Sequence, residues 1–311
     1  MEILSKEAWL SKIASKTHSS RNSYRAMYST WWDGIVTDPN LMMIPVDDHQ
    51  VHRGDAVFEA LKVMNGRIYL AREHLDRLDR SGAAISLKNP FSREQTEEIL
   101  QETLKASGLE NAILRLFLGR GPGSFSTNPY DSVGAQLHLI VTDLRLYSAA
   151  EVQAGVSLAL SKIPPKEPWL AQIKSCNYLA NVLMKKEAVD AGVDFTVGLD
   201  VDGFLTEGST ENLILYSKEG KLLRPRKPRI LAGTMMTRAF ELSESIPQIL
   251  SREERDLNLT DLKEAREVMM VGTTLDVLSV TKFEGQSIGG GTQGPLSKAL
   301  RDLLHEDQTS S

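Results

Sequence analysis

Residues 173–178 read Ile-Lys-Ser-Cys-Asn-Tyr, and residues 205–212 read Leu-Thr-Glu-Gly-Ser-Thr-Glu-Asn. The two stretches place a lysine, Lys174, and a carboxylate, Glu207, on either side of one expected helix and one expected hairpin. The helix covers Tyr178–Ala191; the hairpin pairs Phe195–Leu199 with Phe204–Thr206 around Asp202-Gly203. A lysine amine attacks a carbonyl in its neutral form, which the apolar neighbours Ile173, Cys176 and Leu179 favour. Glu207 stands at a strand end, where Gly208 lets the chain turn sharply and the carboxylate reach a cleft. Alone, each has a more ordinary reading, a solvated lysine at a helix start and a turn glutamate. Together they offer a covalent anchor for a carbonyl and an acceptor for a protonated ring nitrogen.

Outward from this pair, the chain alternates helix and strand without regular βαβ units, which predicts an α+β protein. Upstream, Ala60–Leu70 reads as a hairpin around Asn65-Gly66, the preferred type I′ pair. Residues 71–84 read as a helix with Leu75, Leu78 and Ala83 on one side. Ser92 and Gln95 form a capping box that opens the next helix, with Ile99, Leu100 and Leu104 apolar, and Gly108 closes it. Strands at Ile113–Leu118 and Gln136–Thr142 flank a long loop, Gly119–Ser132. Downstream come a strand at Val156–Ile163, a hairpin of Leu213–Tyr216 with Lys221–Leu223, and a helix at Thr234–Ser243. A short helix at Asp261–Ala265, strands at Val268–Val271 and Val277–Phe283, and a last helix at 295–305 complete the pattern. Residues 1–30 read as an arm and Glu306–Ser311 as a frayed end.

The length of 311 residues suits two domains. We expect an N-terminal domain over 1–146, a linker over 147–153 and a C-terminal domain over 154–311. A net charge of −5 provides no basic footprint for nucleic acid or an anionic membrane. No apolar run approaches the roughly 20 residues that span a bilayer. The single cysteine, Cys176, excludes an internal disulfide and fits a reducing, cytoplasmic location without an export signal. Six scattered histidines and no HExxH or CxxC spacing argue against a bound catalytic metal.

Lys174 and Glu207 meet two of the three demands of pyridoxal 5′-phosphate; the third is a phosphate cup. Gly233-Thr234-Met235-Met236-Thr237 opens a helix, whose first N–H groups attract anions. Gly272-Thr273-Thr274 follows an apolar strand and offers a second donor cluster. Arg77, in His74-Leu75-Asp76-Arg77-Leu78, can pair with phosphate oxygens, and Arg120 in the long loop can grip a substrate carboxylate the same way. The plainer readings are helix caps, a solvated helix face and an exposed loop arginine.

Taken in order, Gly54-Asp55-Ala56-Val57-Phe58-Glu59, Asn65-Gly66, His74-x-x-Arg77-Leu78, Lys174-Ser175-Cys176-Asn177, Thr206-Glu207-Gly208-Ser209 with Glu211-Asn212, Ile230-Leu231-Ala232-Gly233 with Thr237-Arg238, and Gly272-Thr273 resemble the fold-type IV, class IV pyridoxal-phosphate aminotransferases. That superfamily includes branched-chain and D-amino-acid aminotransferases and 4-amino-4-deoxychorismate lyases. The resemblance covers roughly residues 31–305. It implies a smaller N-terminal α/β domain and a larger, barrel-like C-terminal domain. It implies Lys174 as the Schiff-base lysine and proton carrier, and Glu207 as the partner of the pyridine nitrogen. It also implies Arg77, the amides near Met236 and Thr237, Gly272 and Thr273 at the phosphate, and Leu231 against the ring. Phe58, Arg120 and Thr274 would border the substrate.

A homodimer is the family expectation, as is ping-pong transfer between an amino acid, branched-chain-like or D-configured, and a 2-oxo acid. Glu59 resembles the aminotransferases, whereas lyases more often carry Thr there. Tyr178 falls four residues after Lys174, one fewer than in branched-chain enzymes. Elimination of pyruvate by a lyase, and a non-catalytic ligand-binding protein on the same fold, are the competing expectations.

Overall fold

The computed structural model describes residues 1–310 and divides into two compact units. The first comprises Met1–Leu144 with Ser175–Asn177, and the second Arg145–Lys174 with Tyr178–Ser310.

The first unit is built on β1 (Tyr24–Ser29), β2 (Gly34–Val36), β3 (Ala56–Met64), β4 (Arg67–Ile68), β5 (Ala112–Gly119) and β6 (Gln136–Asp143), in the order β2-β1-β6-β5-β3-β4. All five pairings are antiparallel. The long apolar runs of β3 and β5 face each other, with Val57 opposite Leu118 and Leu61 opposite Leu114, all fully buried. Its helices are α1 (Lys6–Ser15), α2 (His49–Arg53), α3 (Ala71–Ala84) and α4 (Arg93–Ser107). The Asn65-Gly66 turn has positive φ at both residues, 51° and 75°, as a type I′ turn requires. The Ser92–Gln95 capping box is present, and Gly108 ends α4 in the left-handed region. On α3, Leu75 and Leu78 are buried, but Ala83 is exposed and Gly82 takes the inner position, where an added Cβ would lie 2.5 Å from the Leu87 carbonyl.

The second unit contains β7 (Val156–Leu160), β8 (Phe195–Val197), β9 (Asn212–Tyr216), β10 (Lys221–Pro225), β11 (Ser251–Arg255), β12 (Glu267–Gly272), β13 (Asp276–Phe283) and β14 (Gln286–Ser287). The path is β11-β10-β9-β12-β13-β7-β8, with β14 on β13, in a curled mixed sheet. Its helices are α5 (Ala149–Ala154), α6 (Pro168–Ala171), α7 (Leu179–Asp190), α8 (Thr234–Leu242), α9 (Leu259–Glu264) and α10 (Pro295–Thr309). One core cluster joins Leu213, Leu215, Val268, Met270 and Leu278 from the three central strands with Leu158 and Val197.

Several expectations change. Within the expected arm, Tyr24–Ser29 is a strand paired with β6, while α1 buries none of its residues. The sequence Ser-Arg-Glu-Glu-Arg at 251–255 is an edge strand parallel to β10. The residues expected to link the domains include α5, capped by a Ser148–Glu151 capping box and grouped with the second unit. The 195–206 hairpin reduces to a bridge between Leu199 and Leu205. The C-terminus is not frayed through Thr309: Gln308 is buried and donates to Asp276 Oδ1 at 2.7 Å, and Arg238 Nε donates to Asp307 Oδ2 at 2.8 Å. Ser311 lies outside the described residues.

Candidate active site

Glu207 is fixed from two sides in the second unit. Its carbonyl accepts from Gly198 N at 3.2 Å, while Thr206 N donates to Gly198 O at 2.9 Å, so the main chain at Glu207 cannot drift. Its Oε2 accepts from Leu231 N at 3.0 Å and from Asn212 Nδ2 at 3.2 Å. Asn212 Nδ2 also donates to Leu231 O at 2.9 Å, tying strand β9 to the segment before α8. Two N–H donors on one carboxylate favour its ionised form. The approach is close: a Cβ on Gly233 would fall 1.9 Å from Asn212 Oδ1.

Helix α8 starts immediately after Gly233. Thr237 N is already committed to Gly233 O at 2.9 Å, so its amide is the first closed bond of the helix rather than an anion donor. The expected amide pair therefore moves back one residue, to Met235 and Met236, which the first-turn geometry leaves without an intrahelical acceptor. Asn212 pairs with Val271, which brings the Gly272-Thr273-Thr274 turn beside the residue that holds Glu207. Gly272 pairs with Asp276 across that turn; Thr273 is half-buried and Thr274 exposed.

Lys174 is half-buried, next to the buried Ile173, whose N–H donates to Leu170 O at 3.1 Å. A second lysine, absent from the sequence reading, belongs to the same unit. Lys166 shares a cleft with Glu207, Asn181 and Arg229, and its Nζ sits 4.8 Å from the centre of the Tyr178 ring. Burial pushes the Lys166 ammonium below the usual lysine range, against the pull of Glu207. The available signal was its place directly after the stiff Pro164-Pro165 pair.

The remaining expected site residues belong to the first unit. Arg77 is buried, and its Nε and Nη2 donate to the two oxygens of Glu59, each at 2.7 Å. His74 Nδ1 meets Glu59 Oε2, also at 2.7 Å. Burial alone would raise Glu59, but the charge and hydrogen bonds of Arg77, with those of His74, hold it at about 2. Phe58 stacks on Phe117, with centroids 5.8 Å apart. Arg120 has a different partner from the substrate carboxylate expected of it. Its Nε and Nη2 pair with the oxygens of Asp55 at 3.0 Å, and Nη1 and Nη2 donate to the Ser86 and Ile85 carbonyls at 2.9 and 2.8 Å. The paired face that would grip a carboxylate is thus taken by Asp55, which sequence reasoning did not single out for this purpose.

A phosphorylated pyridine ring asks for an ionised carboxylate, an amine and a cup of donors. The second unit supplies Glu207, Lys174 and the first turn of α8, and Gly233 at the head of that turn leaves room for the Asn212 side chain, which a Cβ would meet at 1.9 Å.

The family model described as class IV amino-transferase matches residues 56–283. A D-amino-acid transaminase of Arabidopsis thaliana, named as chloroplastic, is 37% identical over 92% of this chain and 77% of its own length. A D-alanine aminotransferase of Bacillus licheniformis is 28% identical over 88% of this chain and 94% of its own. The solved T.th. branched-chain amino acid aminotransferase with pyridoxamine 5′-phosphate superposes with a TM-score of 0.86 at 24% identity, covering 92% of this chain and 94% of that one. At that identity the likeness speaks for the fold.

Proposed function

The chain belongs to the class IV aminotransferases, and we propose that it moves the amino group of a D-amino acid to a 2-oxo acid with pyridoxal 5′-phosphate as cofactor. The observation that carries the catalytic reading is the Glu207 carboxylate held in place by Leu231 N and Asn212 Nδ2. When bound, pyridoxal phosphate supplies a carbonyl for amines to condense with and a ring that takes up an electron pair.

The chain's own residues do the rest. Glu207 would hold a proton on the ring nitrogen. Lys174 would be the amine that holds the cofactor's carbonyl carbon and the base that moves a proton. The amides of Met235 and Met236, with Gly272 and Thr273, would hold the phosphate, and Leu231 would border the ring. Arg77, oriented by Glu59, is the arginine that the family resemblance would assign to phosphate, and Phe58 and Thr274 are the residues it would assign to the substrate.

The choice of a D-amino acid rests on the Arabidopsis relative at 37% identity. A homodimer is part of the same reading and suits the exposed Trp32, Phe125 and Tyr130 of the first unit. So is a reducing, cytoplasmic location, which suits the single cysteine; no described helix is long and apolar enough to cross a membrane. The test is a screen of D- and L-amino acids against pyruvate and 2-oxoglutarate, with aminodeoxychorismate in parallel. D-amino-acid-dependent amination of the oxo acid is expected. Turnover confined to L-branched-chain substrates, or pyruvate release from aminodeoxychorismate without an oxo acid, would overturn the assignment.

A further inference from the structure

The second unit contains a cavity of about 590 Å³, and all of its walls belong to that unit. It lies away from the residues proposed for the cofactor. Strands β9, β12 and β13 bring Asn212, Gly272 and Asp276 together at one end, and carry Tyr216, Glu267 and Val280 toward the other, where they line the cavity. The two ends of β12, Glu267 and Gly272, stand about 17 Å apart at the rise of a strand.

The inner wall is apolar and buried, formed by Ile246, Val268, Val280, Ile288 and Leu296. A volume and a lining of this kind are those of small-molecule pockets. The rim is charged. Lys218 and Arg266 line it, are exposed, and make no side-chain hydrogen bond or ion pair within 4.0 Å among the described residues. The N–H of Arg266 donates to Tyr216 O at 2.8 Å, which anchors the base of that side chain. Glu219 is the one exposed acid of the lining. Glu267 is buried, and its two oxygens accept from Leu296 N and Ser297 N at 2.9 and 2.8 Å, so the head of α10 is already capped. The rim therefore offers two open cations against one acid. Deeper in, the buried Ser279 hydroxyl accepts from Gly294 N at 3.2 Å, and its own proton has no acceptor among the described residues.

We propose that this cavity is a binding site for a small organic acid with an apolar body, separate from the cofactor site. The carboxylate meets Arg266 and Lys218 at the rim, where the planar guanidinium can pair with both of its oxygens. The body fills the apolar interior, and a polar atom on it takes the Ser279 proton. A neutral apolar ligand would leave both cations unused, and a ligand charged along its length would have to be desolvated against the apolar wall.

The probe is naphthoate, two fused rings with one carboxylate, beside its neutral counterpart naphthamide. Each is titrated calorimetrically into the full-length protein, with and without pyridoxal phosphate. Wild type is compared with Arg266→Glu, Lys218→Glu and Ala299→Phe; Ala299 lines the cavity from α10. Wild type should bind one naphthoate. Arg266→Glu should weaken naphthoate about tenfold, because attraction becomes repulsion, and leave naphthamide unchanged. Ala299→Phe should abolish binding of both by filling the cavity. If Ala299→Phe melts early, the two rim variants decide alone, because both side chains are exposed. No saturable binding to wild type, naphthoate affinity unaltered in both rim variants, or full binding to a folded Ala299→Phe would each overturn the inference.

Discussion

Glu59 receives Nε and Nη2 of Arg77, each at 2.7 Å, inside the first unit, with His74 Nδ1 on the same carboxylate. The acceptor is fully buried and the guanidinium nearly so. Such a pair orients the arginine, and it leaves an uncompensated buried charge if one member is removed. Glu59→Gln should therefore lower stability by about 3–5 kcal/mol in urea denaturation. A loss within experimental error would mean that Arg77 finds another partner.

The same carboxylate sets an acid response. Its value is lowered in the fold from 4.5 to about 2, so its stabilisation is fully present above about pH 4.5 and is lost as pH falls toward 2. The amount is about 3 kcal/mol. Denaturation midpoints of wild type should fall across that window, and those of Glu59→Gln should fall less. Parallel curves would assign acid sensitivity to other groups.

Gly233 tests the packing behind Glu207. A methyl group there would meet Asn212 Oδ1 at 1.9 Å and push away the side chain that joins Glu207 to Leu231. Gly233→Ala should cost about 1–3 kcal/mol in stability through overpacking. Cofactor affinity should fall at least about tenfold, equivalent to about 1.4 kcal/mol. Unchanged cofactor binding would show that Asn212 does not position Glu207.

The pairing of Arg120 with Asp55 makes a separate prediction. Asp55→Asn removes the charged acceptor and should lower stability by about 1–2 kcal/mol. Arg120→Lys keeps the charge but loses the paired geometry, and should lower the melting temperature without a selective change in KM. A large rise in KM at unchanged melting temperature would place the guanidinium on the substrate after all.

What could be read in the sequence was local and marked by turn chemistry. Asn65-Gly66, the Ser92–Gln95 capping box and Gly108 each constrain their own backbone, and all three appear as expected. Glu207 stood out because Gly208 beside it advertises a turn, although the expected strand before it is only the Leu199–Leu205 bridge. Strand β1 was not, because Tyr24–Ser29 has neither strict alternation nor a turn pair, and becomes a strand by pairing with β6, over a hundred residues away. Strand β11 reads as a charged run because it is an edge strand whose half-buried and exposed residues alternate. The partners that decide the site chemistry are also tertiary. Nothing local to Arg120 names Asp55, and the closed amide of Thr237 depends on where α8 starts.

The central claim is that Lys174 carries the cofactor. Purified protein incubated with pyridoxal 5′-phosphate, reduced with borohydride and digested, should show the phosphopyridoxyl mass on the peptide containing Lys174, and Lys174→Ala should lose that mass together with transaminase turnover. The mass on another lysine, or full turnover in Lys174→Ala, would contradict the account.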